Sequence, residues 1–478
     1  MKDRMTDELS ETPPPLPPPE RQAGNWAWPL ILLSVFFIGW SVNLFSPGDS
    51  EGGERTPEAD PADLALLKIQ SQVVIAAGAV SPADAKETIE ELKGLGGGDR
   101  AYASIALLES FLAVRGADPA ATAEEISEEA PEELRRLVRK AISEGISEGE
   151  RATLKSYVGW FADLAPGAGL EAAPEAEAIR MKAMFVLLLA GGAFLAALCV
   201  VPVGAILLFL KVRKHRDSGG VCAFRRGLGP RGVMLECFAL YLGIMAMGEV
   251  LGVVAQRVGG TWADLMSIPA VTYLIFGSAV IVPFLWPALR GVSGKDFRRS
   301  LGFHTGEGFF REVAAGVAGY AGVIAIASVG VFLTLMLTLT VGVIDTLQAD
   351  PGAVAGGAGT PAGSTPHPIV GWIYSGGWKE RMLCLLLAAG FAPFFEEIFF
   401  RGALQRYLRG HLGFIASALI GGVIFAALHP QGWMGIPALA AMGIGFSLLR
   451  EWRDSLIAPM VAHAINNGAL VTILCLAL

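Results

Sequence analysis

The sequence predicts an all-α, polytopic membrane protein: a bundle of about nine spans with an extracytoplasmic helical domain inserted after the first. Three observations carry this reading. Of 478 residues, 53% are hydrophobic and 17% charged, whereas roughly a quarter of an ordinary soluble domain is charged. Nine apolar runs reach or approach the roughly 20 residues that cross a bilayer as a helix. They are 27–46, 184–210, 233–254, 267–289, 313–344, 382–400, 412–429, 433–449 and 456–478. Charge is also segregated. Residues 49–180 hold 26 acidic and 13 basic side chains, a net of −13, which leaves +5 on the rest of a chain whose total is −8.

Taken in order, residues 1–26 are polar and proline-rich and read as a disordered cytoplasmic tail. The run 27–46 is too long and too late for a signal peptide, and no small-residue cleavage site follows, so it reads as an anchor. The acidic segment 49–180 reads as a solvated domain of amphipathic helices at Asp63 to Val80, Asp84 to Leu95, Ala101 to Val114, Pro131 to Ile142 and Glu150 to Leu164, set off by Gly and Pro. It contains no His or Cys, and a partner-binding role is the default for it. Residues 184–310 alternate spans with basic loops, and 311–478 form the membrane core. Loops 211–231 and 290–311 are rich in Lys and Arg and belong on the cytoplasmic side. That places 49–180 and the Gly/Pro/Thr-rich loop 345–377 outside. Glu236 and Glu249 lie near the ends of the third span and read as interfacial. The long run 313–344 carries close small residues, Ala315/Gly319 and Ala318/Gly322, that suit tight helix packing. The five cysteines are scattered, and no disulfide is expected.

The chemistry concentrates between Phe391 and Asn467. Glu396 and Glu397 stand side by side in an apolar helical run, where an ionisable group is a functional candidate by default. Arg401 lies four residues after Glu397, roughly 40° away on a helix and within ion-pair reach. Glu396 points about 100° from Glu397. The pattern assigns Glu397 and Arg401 to a structural pair and leaves Glu396 for chemistry. Phe425 and His429 share a helix face, as do His463 and Asn467. Gly390 and Pro393 loosen the helix one turn before Glu396, because Pro393 cannot donate to the Ala389 carbonyl. His215, His304 and His367 read as loop residues on the surface, and His411 as interfacial.

These residues form the motifs E-E-x-x-x-R, F-x-x-x-H and H-x-x-x-N, in order. From about Cys384 to the C-terminus the chain resembles the intramembrane proteases of the CAAX-protease and bacteriocin-processing family, also called the Abi family; residues 1–230 lie outside the resemblance. The resemblance implies that Glu396 activates a water, that His429 helps to hold it, and that His463 and Asn467 stabilise the tetrahedral oxyanion, with Phe425 orienting His429. No cofactor is expected on this reading. The alternative is a zinc peptidase with Glu396, His429 and His463 as ligands. A second alternative, from another class, is a proton-coupled transporter built on the same groups. The partners implied are a membrane-associated peptide or protein substrate, the lipid bilayer and a protein partner for 49–180. No nucleic-acid partner is expected. The chain reads as a multi-pass protein of the bacterial inner membrane.

Overall fold

The computed structural model describes residues 23–45, 61–78, 88–89, 92–93, 98–112, 118–217, 230–261, 280–348 and 369–478. Among them the regular elements are helical, and β pairing is limited to isolated bridges at Ile146, Gly167 and Glu171. In chain order the helices are α1 (Ala27–Phe45), α2 (Pro61–Gly78), α3 (Asp99–Leu112), α4 (Pro119–Glu124), α5 (Glu132–Ser143) and α6 (Glu148–Val158). A 3₁₀ segment, Gly159–Leu164, follows. Then come α7 (Ala176–Asp217), α8 (Arg231–Val258), α9 (Ile281–Leu289), α10 (Gly294–Leu301), α11 (Phe309–Gln348) and α12 (Ile369–Ser375). The last four are α13 (Trp378–His411), α14 (Phe414–Ala427), α15 (Ile436–Arg453) and α16 (Ile457–Ala477).

Six of these helices are long and apolar enough to cross a membrane: Ala176–Leu207, Arg231–Gly252, Phe309–Val341, Trp378–His411, Trp433–Arg453 and Ile457–Ala477. The count is lower than the nine runs expected, for identifiable reasons. Phe414–Ala427 is a shorter apolar helix, and of α1 (Ala27–Phe45) the side chains beyond Ile38 lie outside the described residues. Most of the expected span 267–289 lies outside the described residues, as do the tail 1–22, residues 218–229 of the first basic loop, and 349–368, which includes His367. The outer faces of α7 and α11 expose Leu188, Leu195, Val203, Ile206, Val329, Phe332 and Leu335. A row of large apolar side chains of this extent needs lipid rather than water around it.

The described residues of 49–180 are largely helical and have their own core, built from Ile105, Leu107, Leu108, Leu134, Leu137, Val138, Leu154 and Phe161. That core continues into Ile179 and Ala183 at the start of α7. The short helix α4 was not expected; Asp118 caps it by accepting from the Ala120 and Ala121 N–H groups. The expected helix Asp84 to Leu95 lies largely outside the described residues. Helix α2 departs from an amphipathic surface helix, since Leu64, Ala65, Leu67, Lys68, Ser71, Gln72, Val74 and Ile75 are all buried. It packs on α7 and α12 and reaches the end of α16, where Lys68 donates to the Leu478 carbonyl and Gln72 to the Ala477 carbonyl.

The opposite end of the bundle is held by charged groups. Glu236, near the start of α8, is buried in protein: it accepts from the Gly24 N–H, Trp286 Nε1 and Arg290 Nε at 2.7, 2.7 and 3.0 Å. Arg453 pairs with Glu312 at 2.7 Å, and Arg450 with Asp454 at 2.8 Å. The small residues of α11 do permit the close packing expected of them. A Cβ on Gly319 would lie 2.3 Å from Leu449, and one on Gly316 2.6 Å from the Ala458 carbonyl oxygen.

Candidate active site

Helix α13 carries the two acids, and it is not a uniform α-helix. It widens into π-type turns at Leu387–Phe391 and again at Glu397–Leu404. Such widened turns concentrate at functional sites, because each inserts a residue and re-aims the side chains beyond it. The first arises at Gly390 and Pro393. The widening also changes which carbonyl the proline orphans. In this register the Ala392 N–H donates to the Leu387 carbonyl, so the bond missing at Pro393 is the one to Ala388, not Ala389.

The two acids have opposite environments. Glu397 is fully buried, and its Oε1 accepts from Arg401 Nη1 at 3.0 Å and from His463 Nδ1 at 2.9 Å. Arg401 is equally buried and uses Nη2 to donate to the Gly443 carbonyl at 3.0 Å. Its guanidinium lies 4.7 Å from the Phe425 ring centroid and 5.3 Å from that of Phe446. A buried ion pair survives only where such further partners compensate the loss of water. Gly443 makes the approach possible: a Cβ there would sit 3.0 Å from Gly422 Cα and 3.4 Å from Arg401 Nη2. Glu396, by contrast, is 22% exposed, and its Oε2 lies 3.8 Å from His463 Nε2. That oxygen has no hydrogen-bond partner.

The histidines come from the neighbouring helices. His463, on α16, is stacked on Phe446 with centroids 4.6 Å apart and has Phe425 edge-on at 6.0 Å. His429 lies just past the end of α14. Its Nδ1 lies 2.7 Å from the Phe425 carbonyl oxygen, and its ring packs on Phe425 at 4.4 Å. A carbonyl only accepts, so His429 Nδ1 carries the hydrogen and the neutral ring keeps Nε2 as an acceptor. By the same logic Glu397, paired with Arg401, takes the hydrogen on His463 Nδ1, and His463 Nε2 faces Glu396. The helix α14 has 14 residues, about 21 Å of rise, and this short length brings Phe425 beside Arg401 and His463.

Asn467 stands one turn beyond His463 with different company from that expected. Its Nδ2 donates to the Ala388 carbonyl at 3.0 Å, and its Oδ1 accepts from Asn466 Nδ2 at 3.1 Å. Asn466 Oδ1 accepts in turn from Tyr320 Oη at 3.2 Å. The sequence reading missed Tyr320, Asn466, Phe446 and the backbone acceptors at Ala388 and Gly443. A second amide and a tyrosine inside apolar runs were the available signal for the first two.

Below the site, toward the charged end of the bundle, α13 and α15 are joined by polar contacts at regular spacing. Gln405 Nε2 donates to the Ser447 carbonyl at 3.2 Å and to Glu451 at 3.1 Å, and Arg409 Nε pairs with Glu451 at 2.6 Å. His411 is exposed and lies against Tyr407. His304 is partly buried, with its Nδ1 accepting from the Gly306 N–H. Burial pushes its pKa below the usual histidine value. The zinc alternative needs Glu396, His429 and His463 to converge on one point. Among the described residues no three His, Cys, Asp or Glu side chains form a group that could hold a metal ion, so this donor arrangement does not fit zinc.

Comparison with known proteins finds similarity in the C-terminal part of the chain. Residues 378–469 match the model of the type II CAAX prenyl endopeptidase Rce1-like family. All three motifs lie within the stretch that this family model matches. The chain is also similar to the membrane-embedded CAAX protease MroQ of Staphylococcus aureus (strain USA300), at 33% identity over 85 residues. That match covers 16% of this chain and 34% of the relative, so the chain spans about a third of the relative's length. No solved structure matches.

Proposed function

We propose that this protein is an intramembrane endopeptidase that hydrolyses a peptide bond of a membrane-associated peptide or protein, with Glu396 as the base. The observation that carries the reading is the division between the two adjacent acids. Glu397 Oε1 is bound by both Arg401 and His463, with its Oε2 unpartnered, whereas Glu396 Oε2 has no hydrogen-bond partner and faces His463 Nε2 at 3.8 Å. A carboxylate oxygen that no protein donor occupies is free to accept a proton from a water held beside it.

Glu396 takes a proton from a water that His429 Nε2 helps to hold. The water oxygen bonds to the scissile carbonyl carbon, and the carbonyl oxygen becomes an oxyanion. His463 is oriented by Glu397 through Nδ1. When protonated at Nε2, it is the donor available to that oxyanion. The C–N bond then breaks, and the proton held by Glu396 passes to the departing amine. Phe425 packs between Arg401, His429 and His463 and fixes their relative placement. Asn467, expected beside the oxyanion, has its amide on the Ala388 carbonyl instead, so oxyanion donation falls first to His463.

The similar proteins are CAAX proteases by name, so a prenylated C-terminal peptide is the first substrate to test. The reading is tested by comparing the terminal peptides of membrane proteins in cells carrying the wild type or Glu396→Gln. Cleavage products present only with the wild type are expected. Identical peptide sets would reject the proposal.

A further inference from the structure

The contacts of Asn467 have a cause in Pro393. In the first widened turn of α13, the Ala392 N–H donates five residues back, to the Leu387 carbonyl. The next bond of that register would run from residue 393 to the Ala388 carbonyl. Proline has no N–H to give. Ala388 is therefore left without a helical donor, within a membrane span where an unsatisfied carbonyl is costly. Asn467 Nδ2 donates to that carbonyl at 3.0 Å.

The amide is also held in one orientation. Its Oδ1 accepts from Asn466 Nδ2 at 3.1 Å, and Asn466 Oδ1 accepts from Tyr320 Oη at 3.2 Å. Three hydrogen bonds thus run from α11 through α16 into α13, and the last one closes the turn that precedes Glu396. The backbones are close enough for this because residue 468 is glycine: a Cβ there would lie 3.3 Å from Ala389 Cβ.

We propose that Asn467 is a positioning residue that supplies the hydrogen bond Pro393 cannot, and that Tyr320 and Asn466 set the orientation of its amide. The widened turn then holds Glu396 in one place relative to His463. The effect on catalysis rests on the peptidase function proposed for Glu396; the hydrogen-bond chain does not depend on it.

The test is a set of double-mutant cycles on the full-length protein in detergent micelles. Each preparation is read by thermal unfolding and by cleavage of an internally quenched farnesylated CAAX peptide. Asn467→Ala should lower the unfolding temperature, and should lower kcat about ten- to a hundredfold with KM little changed, as expected for a misplaced base. In the Tyr320→Phe background the same substitution should cost less in both readouts, because the chain is already cut. Pro393→Ala, which restores an N–H, should shrink the unfolding cost of Asn467→Ala and return part of kcat. Fully additive effects in both cycles would overturn the proposal. The unfolding cycles decide the hydrogen-bond chain on their own. A wild type that leaves the peptide uncut would count against the peptidase reading and not against the chain.

Discussion

At the scale of single residues, the site depends on groups that serve more than one partner. Arg401 is the clearest case, since one guanidinium donates to Glu397 and to the Gly443 carbonyl while lying against the Phe425 and Phe446 rings. A lysine places one ammonium where the guanidinium fork spans two acceptors. Arg401→Lys should therefore keep the charge yet destabilise the fold by about 1–3 kcal/mol, the cost of an unmet buried acceptor. Thermal unfolding of the purified variant measures this, and an unchanged unfolding temperature would show that the second contact contributes nothing. The link between Glu397 and Arg401 was legible in the sequence, because four-residue spacing on a helix puts two side chains together. The contacts of His463 with Glu397 and of Asn467 with Ala388 were not. They join residues 66 and 79 positions apart, and no local periodicity reports which helix lies beside which.

At the scale of elements, helix positions were legible and their neighbours were not. The runs that became α7, α8, α11, α13, α15 and α16 are visible from apolar length alone. The contacts of Arg401, Gln405 and Arg409 with Gly443, Ser447 and Glu451 are each separated by 42 residues. This ladder shows that α13 and α15 keep register over two turns. Helix α2 was misjudged because its few polar residues, Lys68, Ser71 and Gln72, are buried against other parts of the protein instead of facing water. Lys68 lies near the Trp160 and Tyr374 rings at 5.4 and 5.7 Å. Burial, reinforced by the nearby charges of Lys182 and Arg381, brings its pKa from the ordinary 10.5 down to about 7. The sign of the consequence is fixed. Between those two values the unfolded chain binds the proton and the folded one does not, so raising the pH through that window stabilises the fold. From about pH 7 to about pH 10, the wild type should gain unfolding temperature relative to Lys68→Met. Parallel curves for the two proteins would show that Lys68 keeps its proton in the folded state.

At the scale of the whole molecule, the two ends of the bundle differ in kind. One end is covered by α2 and α12, which meet the last residues of α16, with Trp160 of the 3₁₀ segment against Lys68 of α2. The other gathers Glu236, Arg290, Glu312, Arg409, Glu451 and Arg453 in ion pairs. The excess of Lys and Arg in the loops predicts that the second end faces the cytoplasm. A single cysteine at Ser143, placed in a cysteine-free background, should then react with an impermeant thiol reagent added outside the cell, whereas one at Lys295 should not. Both positions are exposed in the fold, so the opposite pattern would invert the topology and the side from which the site is approached.

The central claim is that two adjacent acids divide the work, with Glu397 holding the fold and Glu396 performing the chemistry. The most direct measurement takes purified Glu396→Gln and Glu397→Gln and records cleavage and thermal unfolding on the same preparations. Glu396→Gln should abolish cleavage with an unfolding temperature equal to that of the wild type or higher, because its Oε2 has no hydrogen-bond partner to lose. Glu397→Gln should unfold at a lower temperature, because it removes the charge that balances a buried guanidinium. A cleaving Glu396→Gln protein, or a Glu396→Gln protein that unfolds while Glu397→Gln stays as stable as the wild type, would contradict the account.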